Sequence, residues 1–250
     1  MSDAIFGRND GVWLNEPKRW TVHGDSLQIA TDEATDFWRE THYDFIRDSG
    51  HFLGFPTPEA FTAELRVQSD FQSLYDQAGI MVRIDAHHWV KAGIEFSDRR
   101  AMLASVLTNG RSDWATAPYE HDAGDFRVRA TVANGVLRLQ VSADGKFWPL
   151  MRLAPFARAN SYHVGPMACT PERAGLQVTF STFRLTPPLG KDLHDLGCGL
   201  GVGLVARMIS STFSSGPDLA GNLVPRMEPK AGQSCLHRGQ GAHWRQSRNA

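Results

Sequence analysis

The chain has 250 residues, 42% of them hydrophobic, and a formal net charge of −1. That length and apolar content suit one large β domain or two small ones with a sizeable core, and they exclude a globally disordered chain. The near-neutral charge argues against nucleic acid as the main partner, because phosphate binding needs a basic surface.

The start, MSDAIFGRNDGVWLNEP, has no basic segment followed by an apolar run, so no signal peptide is expected. The stretch TDFWRETHYDFIRDSGHFLG, residues 35 to 54, crowds acids, bases, histidines and aromatics together. Asp36 to Glu40 shows no clean alternation and reads as an irregular lead-in to a strand from Thr41 to Arg47. A helix from Asp36 to Phe45 with Thr35 as its cap is the competing reading. In structural terms the segment would put Phe37 and Phe45 in the core and Arg39 and Asp44 in ion pairs.

From there the dominant signal is alternation with period two, the mark of half-buried antiparallel strands. AFTAELRVQ places Phe61, Ala63, Leu65 and Val67 on one face. QAGIMVRID places Ile80, Val82 and Ile84 together, against Gln77, Met81 and Arg83. WVKAGIEF sets Val90, Ala92, Ile94 and Phe96 against Trp89, Lys91, Gly93 and Glu95. DFRVRATV, VLRLQVS and GLQVTFSTFRL continue the pattern. Asn134-Gly135 and Asp144-Gly145 supply hairpin turns. Many strands, short turns and no convincing amphipathic helix give an all-β sandwich or barrel, and no fixed-period repeat points to a propeller or solenoid.

After Pro187-Pro188 the pattern stops. Residues 1–197 hold 20 Lys+Arg against 25 Asp+Glu, a charge of −5, whereas residues 198–250 hold 6 against 2, a charge of +4. The division expected is one sandwich domain over residues 8–196 and an extension over 197–250 of low order, with room for a short helix from Val202 to Ile209. No apolar run reaches the roughly 18–20 residues of a membrane helix, so no membrane partner is expected and a cytoplasmic location is the default.

The order TDFWRETHYDFIRDSGHFLG, YDQAGIMVRIDAHHWVKAGIEF, TNGRSDWA and HVGPMACTPE resembles the domain of unknown function 1349 family, whose members include the regulation of enolase protein. The resemblance runs from about Asn15 to Leu196. It implies a concanavalin A-like jelly-roll sandwich of two curved antiparallel sheets with a concave face. Family members usually end close to PLGKDLHDL, so the last fifty or so residues depart from the pattern. The family's biochemical role is not established, and the resemblance supplies a fold rather than a mechanism.

The polar faces of the strands 75–84 and 89–96, read as a hairpin, allow two readings. One is a solvated face with Lys91 and Glu95 as an ordinary cross-strand pair. The other is the floor of a binding groove, with Gly93 leaving a dent for a ligand. A sugar suits such a groove: aromatic rings cover its apolar C–H face while polar groups satisfy its hydroxyls. Trp38, Tyr75, Trp89 and Trp114 are the candidates for stacking. Asp36, Arg39, His42, Gln77, Lys91, Glu95 and Asp113 are the candidates for hydrogen bonding.

Catalysis has less support. A glycosidase needs two suitably spaced carboxylates. KAGIEF carries one acid rather than acids at alternate positions, and Lys91 is expected to hold Glu95 ionised. The histidines lack ligand spacing, so neither metal nor cofactor is expected. No G-x-S-x-G elbow occurs, and GLGVG lacks the full dinucleotide pattern. Cys169, Cys198 and Cys235 suggest neither a disulfide scaffold nor a zinc site, and Cys169 reads as packed. The functional expectation is a non-catalytic carbohydrate-binding or carbohydrate-sensing domain taking a saccharide or phosphosugar. The alternatives are a protein-interaction module regulating a metabolic enzyme, suggested by one member's name, and an atypical glycoside hydrolase.

Overall fold

A computed structural model of the chain describes residues 5–193. Among them lie one 3-10 turn, Ile5–Gly7, and sixteen strands. The first five strands are β1 (Val12–Leu14), β2 (Arg19–His23), β3 (Ser26–Ala30), β4 (Phe37–Arg39) and β5 (Ile46–Asp48). Then follow β6 (His51–Pro58), β7 (Phe61–Ser69), β8 (Gln77–Arg83), β9 (His88–Ser97), β10 (Arg100–Asn109) and β11 (Arg111–Pro118). The last five are β12 (Asp125–Ala133), β13 (Val136–Ser142), β14 (Leu150–Pro155), β15 (Ser161–Cys169) and β16 (Gln177–Thr186).

The strands build two seven-stranded antiparallel sheets, the jelly-roll sandwich expected from the sequence. One sheet has the order β1-β6-β15-β8-β9-β10-β11 and the other β14-β13-β12-β7-β16-β3-β2. The alternating apolar residues meet between them. Phe61, Leu65 and Val67 of β7 and Phe126 and Val128 of β12 pack opposite Ile80 and Val82 of β8 and Val90 and Ile94 of β9. Each of these side chains is essentially inaccessible to water, and burying one contributes about 1.5–3 kcal/mol. At Asn134-Gly135 both residues take positive φ, 54° and 75°, as the hairpin turn between β12 and β13 requires.

The Thr35–Gly54 stretch departs from both sequence readings. It is neither an irregular lead-in with a strand from Thr41 nor a helix: β4 and β5 form a separate two-stranded hairpin. Glu40, His42 and Asp44 in its turn all have φ near +60°. That left-handed backbone can continue neither a helix nor a strand, so the sequence alternates without extending. Phe37 is fully buried and Phe45 packs partly. Arg39 is in an ion pair as expected, with Glu40 at 3.9 Å, whereas Asp44 is in none among the described residues. Asp44 closes the turn through its backbone N–H, which donates to the Glu40 carbonyl at 2.8 Å. The expectations for residues after Asp192 and Leu193, including Cys198, Cys235 and the short helix, lie outside the described residues.

Gly79 and Gly93 face each other across β8 and β9. A Cβ on Gly79 would lie 1.9 Å from the Ala92 carbonyl oxygen, and one on Gly93 would lie 2.1 Å from that of Ala78. Backbone cannot retreat from such an overlap without breaking the ladder. Gly93→Ala is therefore expected to destabilise the fold by about 3 kcal/mol in urea denaturation. Gly7→Ala, where nothing lies within 4 Å of the added carbon, should change it by less than about 0.5 kcal/mol.

Candidate functional site

The site begins on β9, whose alternate residues Trp89, Lys91, Gly93 and Glu95 point away from the sandwich core. Across the ladder Lys91 stands opposite Met81, Gly93 opposite Gly79, and Glu95 opposite Gln77. On the other side Val106 of β10 is opposite Lys91, and Trp114 of β11 is opposite Val106. The two glycines leave the floor without a side chain between Lys91 and Glu95. The backbone of the paired strand closes over these positions, so neither glycine lines the cavity described below.

The β4–β5 hairpin lies over this face and turns it into a cavity. Its placement is fixed where the chain leaves β3. The buried Thr170 hydroxyl donates to Thr31 Oγ1 at 2.7 Å, and the Thr170 N–H donates to Thr35 Oγ1 at 2.9 Å. His51 Nε2 accepts the Asp32 N–H at 2.9 Å, so its Nδ1 carries the proton and donates to the Asn15 carbonyl at 2.6 Å. Arg39 Nε donates to the Gly110 carbonyl at 2.9 Å and the Arg39 N–H donates to Ser112 Oγ at 2.9 Å. These bonds pin the hairpin to both flanks. At its centre Lys91 Nζ donates to Asp36 Oδ1 at 3.0 Å, with the lysine side chain 5% and the aspartate 14% exposed. The same Oδ1 accepts the Phe37 N–H at 2.7 Å.

The cavity is half open and holds about 170 Å³. Trp38, Tyr43, Phe45, Tyr75 and Trp114 form its walls, Gln77, Lys91, Glu95 and Asp36 its polar interior, and Arg47, Val106, Pro171 and Glu172 its remaining lining. Trp38 and Trp114 meet edge to face at 6.2 Å, and the Trp38 indole N–H donates to the Thr41 carbonyl at 3.0 Å. Tyr43 and Tyr75 hydroxyls lie 3.3 Å apart. Pro171 and Glu172 are brought in because neighbouring Arg173 clamps the fully buried Asp76 carboxylate, with Nε 2.9 Å from Oδ1.

The electrostatics differ from the sequence expectation. Lys91 and Glu95 do not pair; Lys91 is taken by Asp36. Glu95 Oε1 is buried and has no hydrogen-bond partner among the described residues. Desolvation pushes the Glu95 carboxyl up to about 7; Lys91 opposes that rise and the Asp36 charge adds to it. The expectation that Lys91 keeps Glu95 ionised is therefore corrected: the lysine's charge is largely spent on Asp36. Burial alone would push the Lys91 ammonium down, but the Asp36 carboxylate helps hold it above its ordinary value. Cys169 is fully buried on the same face, and burial pushes its thiol far up, consistent with a packed residue.

Of the residues singled out from sequence, Asp36, Trp38, Tyr75, Gln77, Lys91, Glu95 and Trp114 converge on this cavity. Four do not. Trp89 lies on the right face but is 1% exposed, covered by Phe37 at 6.0 Å, so its ring cannot stack on a ligand. Arg39 is committed to the Gly110 carbonyl. His42 is exposed at the hairpin turn and packs edge-on to Tyr43 at 4.8 Å. Asp113, next to Trp114 on one strand, sends its carboxylate to Arg152 of β14 at 2.8 Å, as the period-two alternation demands. Tyr43, Phe45, Arg47, Val106, Pro171 and Glu172 were not singled out. Val106 was legible in principle, since the short Asp98-Arg99 turn sets β10 against β9. Pro171 and Glu172 arrive through the Arg173–Asp76 clamp, which has no local signal.

Residues 13–188 match the family model described as "Protein of unknown function (DUF1349)". The chain belongs to this family. Among the DUF1349 chain's relatives is "Regulation of enolase protein 1" of Saccharomyces cerevisiae, 64% identical over 188 residues, which cover 75% of this chain and 95% of that protein. A crystal structure of a functionally unknown protein from Saccharomyces cerevisiae, also 64% identical, superposes with a TM-score of 0.72 and covers 72% of this chain and 98% of that one. The GH43 protein BlXynB from Bacillus licheniformis, as its K247S mutant, is similar at a TM-score of 0.57 and 15% identity, over 71% of this chain and 37% of that one. That likeness supports the jelly-roll fold alone.

Two outcomes follow. Asp36→Ala, which leaves Lys91 buried without its partner, should cost about 3–5 kcal/mol, and adding Lys91→Met should recover most of the loss; chemical denaturation of the single and double variants checks this. A carboxyl whose folded value lies above its unfolded one binds more protons when folded. Stability is thus fully present below the ordinary value of 4.5 and falls as pH rises toward about 7. Measured against Glu95→Gln, which lacks the titration, the native protein should lose about 3 kcal/mol across that window.

Proposed function

We propose that the protein binds a single saccharide unit in the cavity beneath the β4–β5 hairpin, without cleaving it, as a sensing or binding domain. The observation that carries this reading is a small half-open cavity with aromatic walls and a polar floor, one of whose buried oxygens, Glu95 Oε1, has no partner among the described residues. A space of about 170 Å³ falls below the roughly 300 Å³ at which drug-sized pockets begin. It suits one ring rather than a chain of sugars. Trp114 and Trp38 offer apolar surface for pyranose C–H groups, and Gln77, Glu95, Lys91 and Asp36 offer donors and acceptors for hydroxyls.

Binding is preferred to hydrolysis on the commitments of the acids. Glycoside cleavage needs two carboxylates acting across the scissile bond. Asp36 is engaged by Lys91 and by the Phe37 N–H, and β9 contributes one acid. A second reading draws on the relative named "Regulation of enolase protein 1": the domain would contact and regulate a metabolic enzyme, with the cavity reporting sugar supply to it.

Thermal and chemical denaturation in the presence of monosaccharides, disaccharides and sugar phosphates tests the proposal. A ligand at a hundredfold excess over its Kd should stabilise the protein by about 2.7 kcal/mol, and Trp114→Ala should remove most of that gain. Silence across the whole panel, with purified enolase alone producing a shift, would replace the saccharide reading by the protein-contact one.

A further inference from the structure

We infer that Glu95 is the specificity-determining contact of this cavity, accepting a hydroxyl hydrogen from an uncharged sugar ring, and that the site turns away anionic sugars. The inference rests on the saccharide reading above and narrows it. Its first support is geometric. Glu95 is 4% exposed, lines the cavity, and its Oε1 has no donor within reach among the described residues. A buried acceptor without a donor carries the full desolvation cost of its oxygen. A ligand hydroxyl would remove that cost, so the protein's binding free energy is concentrated at this atom.

The second support is the distribution of charge. Three carboxylates line the cavity, Asp36, Glu95 and Glu172, against two cations, Lys91 and Arg47. Of the two, only Lys91 is in an ion pair among the described residues. Lys91 Nζ is held by Asp36 at 3.0 Å, and the Arg47 guanidinium lies over the Phe45 ring at 4.8 Å. A phosphate placed here would lie beside the Asp36, Glu95 and Glu172 carboxyls and could reach Lys91 only by breaking the pair that holds the hairpin. A neutral ring meets no such penalty.

Groups facing Glu95 come from several elements: Lys91 on its own strand, Gln77 on β8, Cys169 on β15, Asp36 ahead of the hairpin, and Tyr75 and Glu172 in the adjoining loops. Among them Lys91 and Asp36 act on its charge, in opposite senses, while burial favours the neutral acid. A hydroxyl donated to the carboxylate favours the ionised form. Binding of a neutral sugar is therefore coupled to proton release from Glu95, and affinity rises with pH until the free carboxyl is ionised.

Isothermal titration calorimetry decides this with D-glucose, D-galactose, D-mannose and D-xylose as neutral probes and glucose phosphate as the anionic one. For the neutral sugar that binds best, affinity should rise by about tenfold or more between about pH 5 and about pH 8, one decade for each unit by which binding lowers the carboxyl's value. Glu95→Gln, nearly the same shape, should bind at least about tenfold more weakly at the upper pH and show a flat profile. Glucose phosphate should bind at least about tenfold more weakly than glucose. A flat profile in the native protein overturns the assignment without needing the variant, and so does a Glu95→Gln protein with native affinity and profile, or preference for the phosphate. If no neutral sugar and no sugar phosphate binds, the saccharide reading itself falls; if a sugar binds independently of Glu95, only this inference does.

Discussion

Lys91 rises from the floor of one sheet and Asp36 reaches down from the hairpin above it, and their 3.0 Å contact holds the two together. Everything distinctive about the site depends on this buried pair. It keeps a short two-stranded hairpin, too small to be stable alone, seated over a sheet face that would otherwise be open. It neutralises a lysine that burial would strongly disfavour. By occupying that lysine, it leaves Glu95 with nothing to bond.

That last consequence gives the site its character. Buried polar groups in folded proteins are almost always paired, and a protein selected for stability alone would have little reason to keep a carboxyl at Glu95. Gln77 opposite it turns its side-chain amide to the Tyr75 carbonyl, at 3.2 Å, instead of to Glu95. The glycine pair at 79 and 93 lets the β8 and β9 backbones approach closely beneath it. Local choices that run against stability and converge on one concavity are what a binding site imposes on its scaffold. The aromatic walls serve both ends: Trp38 and Phe37 bury apolar surface of the hairpin, while Trp114 remains 38% exposed at the side of the cavity.

Much of this was legible in the residues. The alternation at 61–67, 77–84 and 89–96 gave the faces correctly, because a strand's period of two leaves no freedom about which side chains point together. It also placed Lys91, Gly93 and Glu95 on the face that points away from the core, and the aromatic-rich segment at 35–54 beside it. What sequence could not give was depth. Trp89 and Trp114 look alike in a string, yet one lies under Phe37 and the other lines the cavity, a difference made by a hairpin folded over from elsewhere. Asp113 was grouped with Trp114 although adjacent strand residues face opposite ways. The partner of Lys91 was misread because its true partner lies 55 positions away, whereas Glu95 is its neighbour along the strand. Long-range pairing of charges has no local signature, and it decides which carboxyl remains unsatisfied.

The most direct measurement is a crystal structure of the protein soaked with the neutral monosaccharide that stabilises it most. The account predicts one sugar ring beneath the β4–β5 hairpin, its face against Trp114 and a hydroxyl oxygen within about 2.5–3.0 Å of Glu95 Oε1, with the Lys91–Asp36 pair intact. A sugar bound elsewhere on the sandwich, or one in the cavity that leaves Glu95 Oε1 without a partner, would contradict it.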